Sequence, residues 1–349
     1  MIASLKMKKL LAIICCVFFI SACSVDSEIK PILKNDDVLE IIPQGWPQPS
    51  YNFNNNPLSI EGFTLGRTLF YDPLLSADNT ISCGSCHQQF AAFSHSGHDV
   101  SHGIDGLLGN RNAPAIQNIN WNSSFMHDGG ISNVEVMPLA PITNPVEMNE
   151  NIPHLISKLS ASAKYRQLFK SAFGDEQINS QRIFKAIAQF MGTLYSYNSK
   201  YDRVKSGKEN FTSTEASGYE LFTQKCVSCH TEPLFTDNSF RNIGLKINVL
   251  YNDSGRAHIT GNPSDNFKFK TPSLRNIEKT GPYMHDGRFT SLNECLDHYV
   301  FGIINSNTLD PLLTNGIFLT NQNKSDLIAF LKTLTDNQFL TDKRFSDPN

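Results

Sequence analysis

The chain has 349 residues and a formal charge of −3 at neutral pH. That mild acidity, with no basic block, argues against a nucleic-acid partner. The length suits two domains of ordinary size.

The first element is an export segment. Lys6, Lys8 and Lys9 form a basic start, and Leu10 to Ile20 is an apolar run too short to span a membrane as a mature helix. The run closes in Ile20-Ser21-Ala22-Cys23, which looks like a lipobox. It predicts cleavage before Cys23 and lipid on that cysteine, hence an exported, periplasmic, membrane-anchored lipoprotein. Several acyl chains on one residue hold a membrane stably where one does not. An ordinary cleaved signal peptide, leaving a soluble protein, is the alternative. Loss of residues 1–22 removes three lysines and no acid, which takes the charge to −6. Residues 23–57 are polar and rich in Asn and Pro, and read as a tether.

Next comes a helix with Gly66, Leu69 and Phe70 on one face, followed by Cys83-Gly84-Ser85-Cys86-His87. Cys226-Val227-Ser228-Cys229-His230 repeats that spacing 143 residues later. Each is the attachment signature of a c-type haem, in which two thiols add to the vinyl groups and the adjacent imidazole ligates the iron. Paired zinc or redox Cys-x-x-Cys sites would leave both histidines incidental. The expectation is therefore two haem c groups, bound covalently through Cys83, Cys86, Cys226 and Cys229 and ligated by His87 and His230. With Cys15, Cys16 and Cys23 in the export segment, only Cys295 remains, so there is no disulfide framework.

The two motifs belong to a longer repeat. Gly218, Leu221 and Phe222 precede the second motif with the spacing of Gly66, Leu69 and Phe70. Pro114, Asn118, Ile119, Met126, His127, Asp128 and Gly129 recur 158 positions later as Pro272, Asn276, Ile277, Met284, His285, Asp286 and Gly287. Each half ends in a helical stretch, 181–194 and 324–334. Ser213 or Thr214 would cap the helix before the second motif, and Ser325 the last one. Strand-like alternation is scarce. The fold class is mainly α: two cytochrome c-like haem domains related by internal duplication, 58–205 and 206–349, dividing near the polar stretch 206–213.

Differences between the halves bear on function. Fourteen residues after His285 stands Tyr299, whereas fourteen after His127 stands Pro141, which has no ligand to offer. On this register Tyr299 can close the C-terminal iron while the N-terminal iron stays open to peroxide. Tyr299 can equally be a packed helix aromatic, with His298 and Met284 as rival ligands. His95, His98 and His102 are candidates to cap the N-terminal iron. Glu147, in Asn144-Pro145-Val146-Glu147-Met148, could act as general acid–base in peroxide cleavage, or be a surface residue.

These residues together resemble the bacterial dihaem cytochrome c peroxidases and MauG, from about Leu58 to Leu334. The likeness rests on both haem motifs, Arg111-Asn112-Ala113-Pro114, Asn144-Pro145-Val146-Glu147-Met148 and Gly281-Pro282-Tyr283-Met284-His285-Asp286-Gly287. It implies a peroxidatic haem at His87, an electron-transfer haem at His230 and a catalytic Glu147. It also implies one calcium ion held by Asn112, Thr280 and Pro282, whose oxygens suit a hard ion. Tyr299 falls where the peroxidases carry an axial methionine and MauG a tyrosine. Three departures stand out: His127 replaces the usual Trp between the haems, Met137 replaces a pocket glutamine, and His102 matches the capping loop histidine only across an insertion of two residues.

The leading expectation is a peroxidase that reduces hydrogen peroxide to water with electrons from a small redox protein, a cytochrome c or cupredoxin. A MauG-like oxidase acting on a protein or organic substrate, and a dihaem electron carrier, are the alternatives.

Overall fold

The computed structural model describes residues 40–348. Cys23 and the predicted export segment lie outside that range. Among the described residues no helix is long and apolar enough to cross a membrane, and the only sheet is a two-stranded antiparallel ribbon of Phe240–Arg241 and Phe269–Lys270. Helices and long loops form the rest, as the scarcity of alternating segments predicts.

Two helix pairs carry the architecture. Helix Ile60–Tyr71 begins at Ser59, whose hydroxyl accepts the Gly62 N–H. It buries Phe63, Leu69 and Phe70 against helix Ser180–Gly192. The backbones meet so closely at Gly66 that a Cβ there would lie 1.9 Å from the Ala186 carbonyl oxygen. Helix Ser213–Lys225 crosses helix Asn321–Lys332 in the same manner, with Gly218 against the Asp326 carbonyl oxygen at 1.9 Å. Glycine is required at both crossings because any side chain would hold the helices apart.

The caps differ from expectation. Thr212, not Ser213 or Thr214, caps helix Ser213–Lys225, and Glu215 reaches back to the Thr212 N–H at 2.7 Å. The last long helix starts before Ser325 and is capped by Thr320 with Asn323. In both, a reciprocal capping box sets the start, and the residue three positions inside the helix decides which hydroxyl caps.

Local geometry recurs at the 158-residue offset. Asn118 and Asn276 are left-handed, with φ of 54° and 58°; Met126 and Met284 have φ of 66° and 72°. Bridges Phe125↔Ile131 and Tyr283↔Phe289 follow in the same places.

Two segments depart from the predicted boundaries. The expected tether, 23–57, is packed in its described second half. Phe53 and Asn56 are buried, Asn56 Nδ2 donates to the Lys185 carbonyl at 3.0 Å, and the Trp121 indole donates to the Pro47 carbonyl at 2.8 Å. Its aromatic residues Trp46, Tyr51 and Phe53 bury enough apolar surface to fix a polar stretch. At the other end, Phe339, Leu340 and Phe345 join the N-terminal hydrophobic core instead of the C-terminal one. Tyr71 donates to the Phe345 carbonyl at 2.7 Å and Arg67 to that of Arg344 at 2.6 Å.

Candidate active site

Both Cys-x-x-Cys-His segments are built alike. The His87 Nδ1–H donates to the Phe93 carbonyl at 2.7 Å, and the His230 Nδ1–H to the Phe235 carbonyl at 3.1 Å. A carbonyl can only accept, so each ring is fixed in the tautomer whose Nε2 lone pair is free for a metal. Phe93 and Phe235 both hold positive φ, 60° and 56°. Bulky residues rarely adopt that conformation, and here it turns each carbonyl back onto its histidine. The four motif cysteines are free thiols. Burial pushes Cys83 and Cys226 up to about 12 and Cys86 to about 11, which keeps the sulfurs protonated until they react. Two reduced thiols beside an oriented imidazole, present twice, fit a pair of c-type haems.

Glu147 lies beside the first motif. Its Oε1 accepts a hydrogen bond from the Ser101 hydroxyl at 2.9 Å, and its charge is among the influences that raise Cys86, after burial. The loop is held from behind: the Ile104 N–H donates to the Glu147 carbonyl at 2.8 Å, and Gly103 packs so tightly that a Cβ would collide with Val146 and Glu147. Glu147 is half-buried, and its Oε2 has no partner among the described residues. The carboxylate thus stands near Cys86 and the Ser101 hydroxyl, beside the first motif.

His95, His98 and His102 gather in the same region. His98 Nδ1 lies 3.1 Å from His102 Nε2, and the His95 ring stacks on His98 at 4.3 Å. His95 is buried with its Nδ1 unpartnered. Burial, followed by the neighbouring His98, His102 and His87, pushes its pKa down to about 4.

On the second side, Tyr299 sits in a π-helical turn, His298–Gly302, a rare geometry that often marks function. Its phenol is held above its ordinary pKa by burial first and then by Cys295, Cys226 and Cys229, so it lies within electrostatic range of the second motif. The rival His298 is otherwise engaged: its Nε2–H donates to the Ile243 carbonyl at 2.9 Å.

The described residues 60–210 match the family model for di-haem cytochrome c peroxidase. The chain is 37% identical to the methylamine utilization protein MauG of Methylorubrum extorquens, over 84% of this chain and 82% of that protein. It is 35% identical to cytochrome c551 peroxidase of Nitrosomonas europaea, over 78% and 80%. The chain belongs to the di-haem cytochrome c peroxidase and MauG family. A crystal structure of a MauG-like protein associated with microbial copper homeostasis superposes with a TM-score of 0.81 at 35% identity, covering 88% of this chain and 98% of that one. This family membership makes the protein a dihaem oxidoreductase.

The region between the motifs is tightly bonded. His127 donates from Nε2 to the Asn112 carbonyl at 2.9 Å, and burial, the largest cause, lowers its pKa to about 4. Met137 is buried in the N-terminal core. Arg111 ties the halves together by binding Asp128 at 2.5 Å and Asp253 at 2.6 Å. The Asn112 N–H donates to the His285 carbonyl at 2.7 Å, which brings Asn112 to the segment that carries Thr280 and Pro282. Asn112 spends its Nδ2 on the carbonyls of His98 and Asp99. Among the described residues its Oδ1 and the carbonyls of Thr280 and Pro282 accept no hydrogen bond, so three neutral oxygens are left for a hard cation. No three His, Cys, Asp or Glu side chains converge as a metal-ion site among the described residues.

Sequence reasoning missed Ser101, Phe93 and Phe235. A backbone carbonyl has no residue signature, and only the loop fold shows which carbonyl reaches a histidine.

Proposed function

We propose that this family member is a MauG-like oxidase that uses hydrogen peroxide to oxidise a protein or organic substrate. The observations that support this reading are Tyr299 lying within electrostatic range of Cys226 and Cys229 in the π-helical turn, and His298 committed to a backbone carbonyl. The haems, when bound, would supply the redox chemistry, peroxide reduction at the His87 site and electron transfer at the His230 site. Cys83, Cys86 and His87 would hold the first, and Cys226, Cys229, His230 and Tyr299 the second. The carbonyls of Phe93 and Phe235 keep each imidazole aimed. Glu147, with Oε1 occupied by Ser101, would take a proton at Oε2 from the nearer peroxide oxygen and return it to the leaving one, which departs as water. Bound as a phenolate to the second haem, Tyr299 would favour its oxidised states, which would suit an oxidase better than ready exchange with a high-potential donor.

The second reading is peroxide reduction with electrons from a small cytochrome c or cupredoxin, and the likeness to a cytochrome c551 peroxidase supports it. We further propose that Asn112, Thr280 and Pro282 hold one calcium ion, and that Cys23 carries a lipid anchor that places the protein on a periplasmic membrane face. The two halves would have arisen by internal duplication, a reading supported by the repeated motifs and loop geometry. Steady-state peroxide consumption with a reduced small cytochrome, with haem spectra recorded throughout, separates the two activities. The oxidase reading expects oxidation of both haems by peroxide and slow turnover with the cytochrome. Fast, saturable turnover with a His/Met spectrum at the second haem would replace it by the peroxidase reading.

A further inference from the structure

Asn112 and Lys270 stand 158 positions apart, the offset that relates the two halves. Their backbones make equivalent bonds. The Asn112 N–H donates to the His285 carbonyl and the Lys270 N–H to the His127 carbonyl, each at 2.7 Å, and those two histidines are counterparts as well. The side chains then diverge. Asn112 spends its Nδ2 on the carbonyls of His98 and Asp99. Lys270 is half-buried, and its ammonium has no hydrogen-bond or ion-pair partner among the described residues. Burial alone pushes its pKa down to about 8, with no carboxylate to offset the loss of water.

The charges around it are already spent on one another. Beside its own strand Lys268 pairs with Asp265, and on the paired strand Arg241 holds Asp237 and Asp310. In the loop of His127, Asp128 is taken by Arg111, which also takes Asp253. The groups that act on His127 by charge are His285, Arg111 and Lys270. One ammonium is therefore left over, away from bulk water. An unpaired charge in such a place is strongly disfavoured, so the cation calls for an anion.

The missing carboxylate arrives with the cofactor. Each haem c carries two propionates, and family membership implies two such haems. The strand of Lys270 runs past both sites. Its N–H holds the loop of His127, and two residues further on the Pro272 carbonyl is an acceptor for His230 alongside that of Phe235.

We propose that Lys270 is the fixed counter-ion of a haem propionate in the region between the two motifs. It keeps that propionate ionised, and its positive charge raises the reduction potential of the haem that bears it, because a nearby cation disfavours ferric iron. Where the first half presents the neutral amide of Asn112, the second presents a tethered cation. The inference rests on haem at both motifs and is independent of whether the protein works as an oxidase or a peroxidase.

The test compares the parent holoprotein with Lys270→Met and Lys270→Arg. Intact mass comes first: a parent without two haems would overturn the haem reading and this inference with it. Spectroelectrochemical titration then gives the midpoint of each haem from pH 5 to pH 8, above the titration of His127 and His285, both lowered to about 4. Lys270→Met should lower the midpoint of one haem at pH 8. Its propionate, relieved of the cation, should bind a proton about tenfold or more tightly. That midpoint should then climb more steeply than the parent's as the pH falls. Lys270→Arg should restore both the midpoint and the shallower slope. A role confined to packing would leave Met, which keeps the aliphatic stem, equal to the parent. Whichever haem moves owns the propionate. If Lys270→Met does not fold, Lys270→Gln removes the charge, keeps a polar end and is read in the same way. Two haems whose midpoints and slopes match the parent's in the uncharged variant would overturn the proposal and leave the dihaem reading standing.

Discussion

The Ser101 hydroxyl donates to the Glu147 carboxylate across 2.9 Å, from a loop separated from it by 46 positions in the chain. Ser101 is buried, so the bond fixes which carboxylate oxygen stays free. A hydrogen bond to a charged group contributes about 1.5–3 kcal/mol, and Ser101→Ala should slow peroxide reaction by roughly tenfold or more on that basis. Glu147→Gln should cost about 10²–10⁴ in rate, with both haems retained. Ser101→Thr should restore most of the loss. Stopped-flow reaction with peroxide measures all three, and a Ser101→Ala rate equal to the parent would show that the hydroxyl does not position the carboxylate.

Tyr299→Phe separates ligation from packing. If the phenol binds the second iron, the variant loses the low-spin ferric signal of that haem or exchanges it for another ligand's, and the potential rises. Electron paramagnetic resonance and a redox titration report both. An unchanged spectrum would return Tyr299 to the role of a packed aromatic.

Gly66→Ala and Gly218→Ala test the two helix crossings. Each new methyl meets a carbonyl oxygen at 1.9 Å unless the helices separate, and overpacking of this kind costs about 1–3 kcal/mol. Urea denaturation of the holoprotein should show a lower midpoint for both. A surface change such as Gly174→Ala is no neutral control, because that glycine has φ of +89°.

Arg275 is fully buried and pairs with Asp202 at 2.8 Å. It also donates to the carbonyls of Pro233 and Ser196. Arg275→Met leaves Asp202 with only the Ser199 N–H and hydroxyl, and loss of one member of a buried ion pair costs about 3–5 kcal/mol. Adding Asp202→Asn should recover part of that loss. A double variant no more stable than Arg275→Met alone would show that the carbonyl contacts, not the ion pair, dominate.

Acid should weaken the region between the motifs. Burial is the largest cause lowering both His127 and His285 to about 4 from an ordinary 6.5. Between those values the unfolded chain binds more protons than the folded one, so stability falls as pH drops from 6.5 towards 4 and is fully present above 6.5. Denaturation midpoints at pH 7 and pH 5 measure the loss, and His127→Gln should make it smaller.

The paired Cys-x-x-Cys-His motifs, the helical class and the family resemblance were legible in the chain itself. Covalent chemistry demands fixed spacing, and helix faces repeat with a period that sequence records. Seven residues repeated at a constant offset likewise foretold the paired loop geometry around Asn118 and Asn276. Which carbonyl orients each histidine, which hydroxyl holds Glu147, and the contact of Trp46 with Trp121 were decided only by the tertiary structure. Those contacts join positions tens of residues apart through loops without periodicity. The return of Phe339 and Phe345 to the first core belongs with them. Hydrophobic burial is non-directional, so a sequence states that an aromatic residue will be buried, and the packed fold alone determines against which core.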